Sequence, residues 1–143
     1  MTRLRKGDLP GIEGALTQLA NVAVRAPSAI RIARMTRRVA AVAGDLRAER
    51  DRLVEKHAAR DEEGAYLPAT DPAMREQGMI RIDPAEAAAL EEALASLLDQ
   101  TVEIPVGPLS AEDLRREDGR PVDIPAATLL ALGPLFLDPM DTG

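Results

Sequence analysis

The 143-residue sequence contains no cysteine and no tryptophan, and it has one tyrosine (Tyr66), one phenylalanine (Phe136) and one histidine (His57). The lack of cysteine excludes disulfides, thiolate metal ligands and cysteine nucleophiles, and leaves the redox compartment open. With a single histidine, a transition-metal site would have to rest on carboxylates alone. Without aromatics, the core must be assembled from Leu, Ile, Val and Ala, which bury less apolar area per residue. Part of the stability is therefore expected from self-association or docking. No apolar run of about 18 residues exists, and the basic start MTRLRKGDLP has no apolar stretch behind it. The expectation is a soluble chain with no secretory signal and no membrane partner.

What the sequence does have is charge, unevenly placed. Residues 1–60 hold 13 Lys and Arg against 6 Asp and Glu, and residues 61–143 hold 5 against 18. The net charge of -6 thus conceals a basic first part and an acidic second one. Two arrangements would use this: acidic surface covering basic surface within a molecule or between neighbours, or a basic end presented to nucleic acid.

Asp8 and Pro10 are suited to open a helix, and Leu9, Ile12, Leu16, Leu19 and Ala23 follow at helical spacing. Pro27 biases Ala26 away from helix, and Ser28 is placed to cap the next one. From Ser28 to about Arg60 there is no proline and one glycine, Gly44, so a long helix is predicted. Ile32, Met35, Val39, Val42, Leu46 and Leu53 step along it by threes and fours as a packing seam, with Glu49 as an interruption. At 100° per residue, Arg31, Arg34 and Arg38 form one ridge beside the seam, and Arg37 points outward.

Gly64, Pro68, Pro72 and Gly78 mark a loop between residues 60 and 78. MIRID, from Met79 to Asp83, alternates like an edge strand, Asp83 and Pro84 open a helix whose face is Leu90, Leu94, Leu97 and Leu98, and TVEIPV from Thr101 is a second strand. Ser110 and Asp113 form a capping-box pattern, and a last helix follows Pro125 and stops at Gly133 and Pro134. The apolar run through Leu129, Leu130, Leu135, Phe136 and Leu137 must dock, on its own domain or on a neighbour. The predicted fold is mainly α with a small α+β part: a helical hairpin over residues 1–63, then a strand-helix-strand unit and short C-terminal helices over 64–143, the two making one folding unit.

Catalytic patterns are absent. His57 lies near the end of the long helix, where the helix dipole favours a positive charge, with no second His or Cys for company. Asp61, Glu62 and Glu63 lack the spacing of a calcium loop, and Glu91 and Glu92 are adjacent on a helix and face apart. There is no dinucleotide or phosphate-loop motif. No enzyme activity, cofactor or metal is expected. A short helix, a turn and the basic helix do resemble a helix-turn-helix, but the second helix is too long, the turn lacks glycine, and no Asn or Gln stands among the arginines to read adenine. Nucleic acid is therefore the less favoured partner. Arg31, Arg34 and Arg38, with Leu129, Leu130, Leu135, Phe136 and Leu137, are the candidate interface residues.

The order LPGIEGALTQLA, SAIRIARMTRRV, LVEKHAARDEEG, IDPAEAAALEEALASLLDQTVEIPVGPLS and IPAATLLALGPLF resembles a family of small tailed-bacteriophage proteins classed as a domain of unknown function. The likeness spans nearly the whole chain and is strongest at EKHAARDEEG and VEIPVGPLS. It implies a virion protein assembled in the host cytoplasm, a structural or accessory subunit whose partners are other phage structural proteins and copies of itself. It assigns no residue a role. The alternative is a phage regulator that binds nucleic acid or host transcription machinery through the basic helix.

Overall fold

A computed structural model describes residues 1–136. The chain is mostly helical, with a two-stranded antiparallel sheet. In order, the elements are β1 (Thr2–Arg5), α1 (Leu9–Ala20), α2 (Ala26–His57), α3 (Pro72–Glu76), α4 (Pro84–Asp99), β2 (Thr101–Ile104) and α5 (Ala126–Leu132), with short 3-10 turns at Lys6–Asp8, Ala111–Leu114 and Gly133–Leu135. The expected mainly α fold with a small α+β part is thus present.

Two compact units divide the chain, one of Met1–Asp45 with the described residues from Leu98 onward, the other Leu46–Leu97. This division differs from a boundary near residue 63. In the first unit, the segment expected to be a basic leader is strand β1, because Thr2 and Leu4 are buried while Arg3 and Arg5 face solvent, the period-2 alternation of a half-buried strand. It pairs with β2 in the register Thr2 to Ile104 and Arg5 to Thr101. Arg3 sits opposite Glu103 and donates to it at 3.1 Å, and Arg5 reaches Asp99 at 3.1 Å.

The pairing corrects the expected strand-helix-strand unit. The partner of β2 is the N-terminal strand, and MIRID contributes no strand, only a single bridge from Ile80 to Pro68. The physical reason is that the backbone hydrogen bonds of 79–81 go to a loop: Ala69 N–H donates to the Met79 carbonyl, Arg81 N–H to Leu67, and Ala59 N–H to Arg81.

Helix α1 buries Leu9, Ile12, Ala15, Leu16 and Leu19 and packs on α5, whose Leu132 is also buried. Asp8 occupies the N-cap position, but its side chain makes no capping bond. Helix α2 starts at Ala26, two residues before the expected cap, because Pro27 in the first turn gives up an N–H that would have no helical partner anyway. Its buried stripe is Ile32, Met35, Val39, Ala43 and Leu46; Val42 and Leu53, expected in the seam, are only half-buried. Ala43 lies four residues after Val39 and three before Leu46, so it takes the inward position on the helical wheel.

Within the second unit, the loop after α2 is tied by bridges Arg60 to Tyr66 and Pro68 to Ile80. Asp71 caps α3 by accepting from the Ala73 N–H at 2.9 Å. In α4, Leu90 and Leu97 are buried.

Candidate functional site

The start of α2 is held by a segment far along the chain. Asp113, whose side chain is 2% exposed, accepts through Oδ1 from Ser28 Oγ at 2.9 Å and from Arg31 Nη1 at 3.2 Å. Its Oδ2 accepts from the Ser110 N–H at 3.0 Å, and the Asp113 N–H donates back to the Ser110 carbonyl, so the predicted capping pattern forms the 3-10 turn at Ala111–Leu114. Ser28 is not a cap. It lies inside α2, buried, and serves the carboxylate. The free N–H groups at the helix start are met from outside: Ala26 N–H donates to Glu117 Oε1 at 3.0 Å, a carboxylate where the helix dipole favours one. Beside it, Arg25 N–H donates to the Arg115 carbonyl and Arg25 Nη1 pairs with Glu112 at 3.1 Å.

This anchor sets one wall of a groove. Arg31 Nη2 donates to the Pro108 carbonyl at 2.9 Å, drawing the 105–108 segment against α2. From the other side, Thr2 Oγ1 donates to the Val106 carbonyl at 2.9 Å, and the Val106 N–H turns back to Ile104. Between helix and segment lies an open concavity of about 770 Å³, bounded by Arg31, Arg34, Arg37 and Arg38 with Met35, Val106 and their neighbours. On a wheel at 100° per residue, the arginine face is centred about 130° from the buried stripe of α2, so core packing does not compete for it.

The arginines differ in what they do. Arg31 is bound to Asp113 and Pro108. Arg34, Arg37 and Arg38 have no hydrogen bond or ion pair among the described residues and are exposed. Arg37, expected to stand apart, shares the lining because it lies about 60° from Arg34 on the wheel. Arg31 was legible as part of the basic ridge; its buried partner Asp113, 82 positions away, was not.

The candidate apolar interface residues fall into different places. Leu130 is 78% exposed and Leu129 44%. Leu135 is fully buried, which removes it as a partner contact, and its carbonyl accepts from the Leu109 N–H at 2.7 Å. Phe136 is half-buried and bridges to Leu109. Leu137 lies outside the described residues.

In the second unit, the acidic loop is a shaped turn. Asp61 Oδ1 accepts from the Glu63 and Ala65 N–H groups, each at 2.9 Å, and Gly64 adopts φ +85°, a conformation that favours glycine. Arg60 closes the base, donating to Tyr66 Oη at 2.9 Å with its guanidinium 4.5 Å from the ring centre. Asp61 is thus structural, whereas the Glu62 and Glu63 side chains project into solvent with no partner among the described residues. His57 Nδ1 lies 2.7 Å from Glu86 Oε2, which ties the end of α2 to the start of α4. Among the described residues, no group of three or more His, Cys, Asp or Glu side chains converges as a metal site would require, and no helix is long and apolar enough to cross a membrane.

No family model matches the chain, and no curated protein or solved structure is detectably similar to it.

Proposed function

We propose that this chain is a non-enzymatic structural or accessory subunit of a tailed-bacteriophage particle that acts through protein–protein contacts. The observation that carries the reading is the groove with three arginines that have no partner among the described residues, in a protein whose acidic residues outnumber its basic ones. Unpaired guanidinium groups on a preformed concave face are ready to receive carboxylates from another protein surface. The exposed Leu129 and Leu130 on α5 add an apolar surface outside the core. The link to a phage particle rests on the order of sequence patterns alone.

A second reading, a regulator that binds nucleic acid through α2, draws on the same arginines. Two features weigh against it. No Asn or Gln stands among the arginines of α2 to read adenine. Neither aromatic residue lines the groove, so bases of a single strand have nothing to stack on.

The test is mass spectrometry of gradient-purified particles from a lysate in which this chain is expressed with its phage. The expected result is the chain at a constant ratio to the major structural proteins. Its absence from particles, together with retention on duplex DNA at physiological salt, would favour the regulator.

A further inference from the structure

We propose that the arginine groove is a docking site for a second copy of this chain, and that its occupant is the acidic turn of residues 61–64. The inference rests on the assembly-subunit reading and names the contact through which copies join.

The groove needs anionic groups that can reach Arg34, Arg37 and Arg38 while fitting between α2 and the Pro105–Gly107 wall. No aromatic residue lines the groove, so a single strand would lack stacking partners, whereas a narrow protein turn bearing carboxylates needs none. The turn at 61–64 has that form. Its backbone is fixed by Asp61 and the positive φ of Gly64, and its base is closed by Arg60 and Tyr66, so little ordering remains to be done when it docks. Glu62 and Glu63 extend from it with no partner among the described residues. Three guanidinium groups and two carboxylates, all without partners among the described residues, are complementary in sign, and several such pairs meeting on one concave face reinforce one another.

The contact joins two different surfaces, so each copy offers a groove to one neighbour and a turn to the other. Repetition generates a ring where the rotation closes, and a filament where it does not.

Two charge-reversed full-length variants test the contact. The first carries Arg34→Glu and Arg38→Glu in the groove; the second carries Glu62→Arg and Glu63→Arg in the turn. All four side chains are exposed, so both variants should keep the wild-type circular dichroism. Multi-angle light scattering over a concentration series is the readout. Wild type should self-associate, less so as salt rises. Each variant alone should associate at least about tenfold more weakly, the lower end for close interfacial charge pairs. Mixed in equal amounts, the two should recover assembly at a one-to-one ratio, because each reversed surface then faces an opposite charge. That recovery cannot come from a general loss of folding or solubility.

A wild type that remains monomeric, variants that associate like wild type, or a mixture without recovery would each overturn the proposal. Tight DNA binding abolished by the groove variant, without self-association, would give the groove to nucleic acid instead. A monomeric chain still found in purified particles would end this inference and leave the subunit reading in place. Recovery in the mixture by a chain absent from particles would do the reverse.

Discussion

Ser28 Oγ donates a 2.9 Å hydrogen bond to Asp113 Oδ1, joining the first turn of α2 to a 3-10 turn 85 positions later. The carboxylate is buried, and Arg31 and the Ser110 N–H complete its shell. Removing it strands the buried Ser28 hydroxyl and the part-buried Ser110 N–H, which water reaches poorly. Asp113→Ala should lower stability by about 3 kcal/mol, whereas Arg31→Gln, whose side chain is half exposed, should cost less than about 1 kcal/mol. Urea denaturation of both variants beside wild type gives the comparison, and an Asp113→Ala midpoint equal to that of wild type would show that the anchor contributes little.

The buried stripe of α2 makes a separate prediction. Leu46 is fully buried, so Leu46→Ala should cost about 2–5 kcal/mol. Leu53, expected from the sequence to share the seam, is half-buried, and Leu53→Ala should cost about 1 kcal/mol. Thermal unfolding monitored at 222 nm would rank them, and a reversed order would contradict the assigned helix face.

Two glycines should respond in opposite directions to the same substitution. Gly119 has φ +82° in the tight turn where its N–H donates to the Arg116 carbonyl, and Gly119→Ala should destabilise by about 1–2 kcal/mol. Gly14 lies within α1 with open space where a methyl group would project, so Gly14→Ala should stabilise by about 0.5–1 kcal/mol. Melting temperatures moving the same way for both would refute the local geometry.

At the C-terminal segment, neighbouring leucines should separate folding from association. Leu135→Ala should destabilise by about 2–5 kcal/mol because the side chain is fully buried. Leu130→Gln should leave stability within about 0.5 kcal/mol of wild type, since the side chain is mostly solvated. If α5 also contacts a partner, pull-down from a phage lysate should fall with Leu130→Gln alone; unchanged capture would restrict α5 to its role in the fold.

Much of the helical structure was legible because its signals are local. The proline-free stretch after Ser28 gave α2 to within a few residues, Asp83 and Pro84 gave the start of α4, and Ser110 with Asp113 gave the 3-10 turn. What failed was long-range pairing. MTRLRK carries only four residues of alternation, too short to read as a strand without knowing that Thr101–Ile104 lies beside it. MIRID had the same alternation, but its backbone partners lie in a loop. The basic ridge of the site was visible in Arg31, Arg34 and Arg38, yet a helical wheel alone has no opposite wall. The groove exists only because Pro105–Gly107 is brought there by β2 and by the Thr2 and Arg31 hydrogen bonds.

The 104 positions separating Thr2 from Val106 also set a clock for synthesis. A ribosome adding roughly 5–20 residues per second leaves β1 without its partner for roughly 5–20 s. Over that interval the first strand has an open edge, and the arginines of α2 are outside the exit tunnel before the carboxylate of Asp113 has been made. The nascent chain is therefore at its most basic and least closed while it lies next to ribosomal RNA, and emergence of Val106 and Asp113 is what ends that exposure.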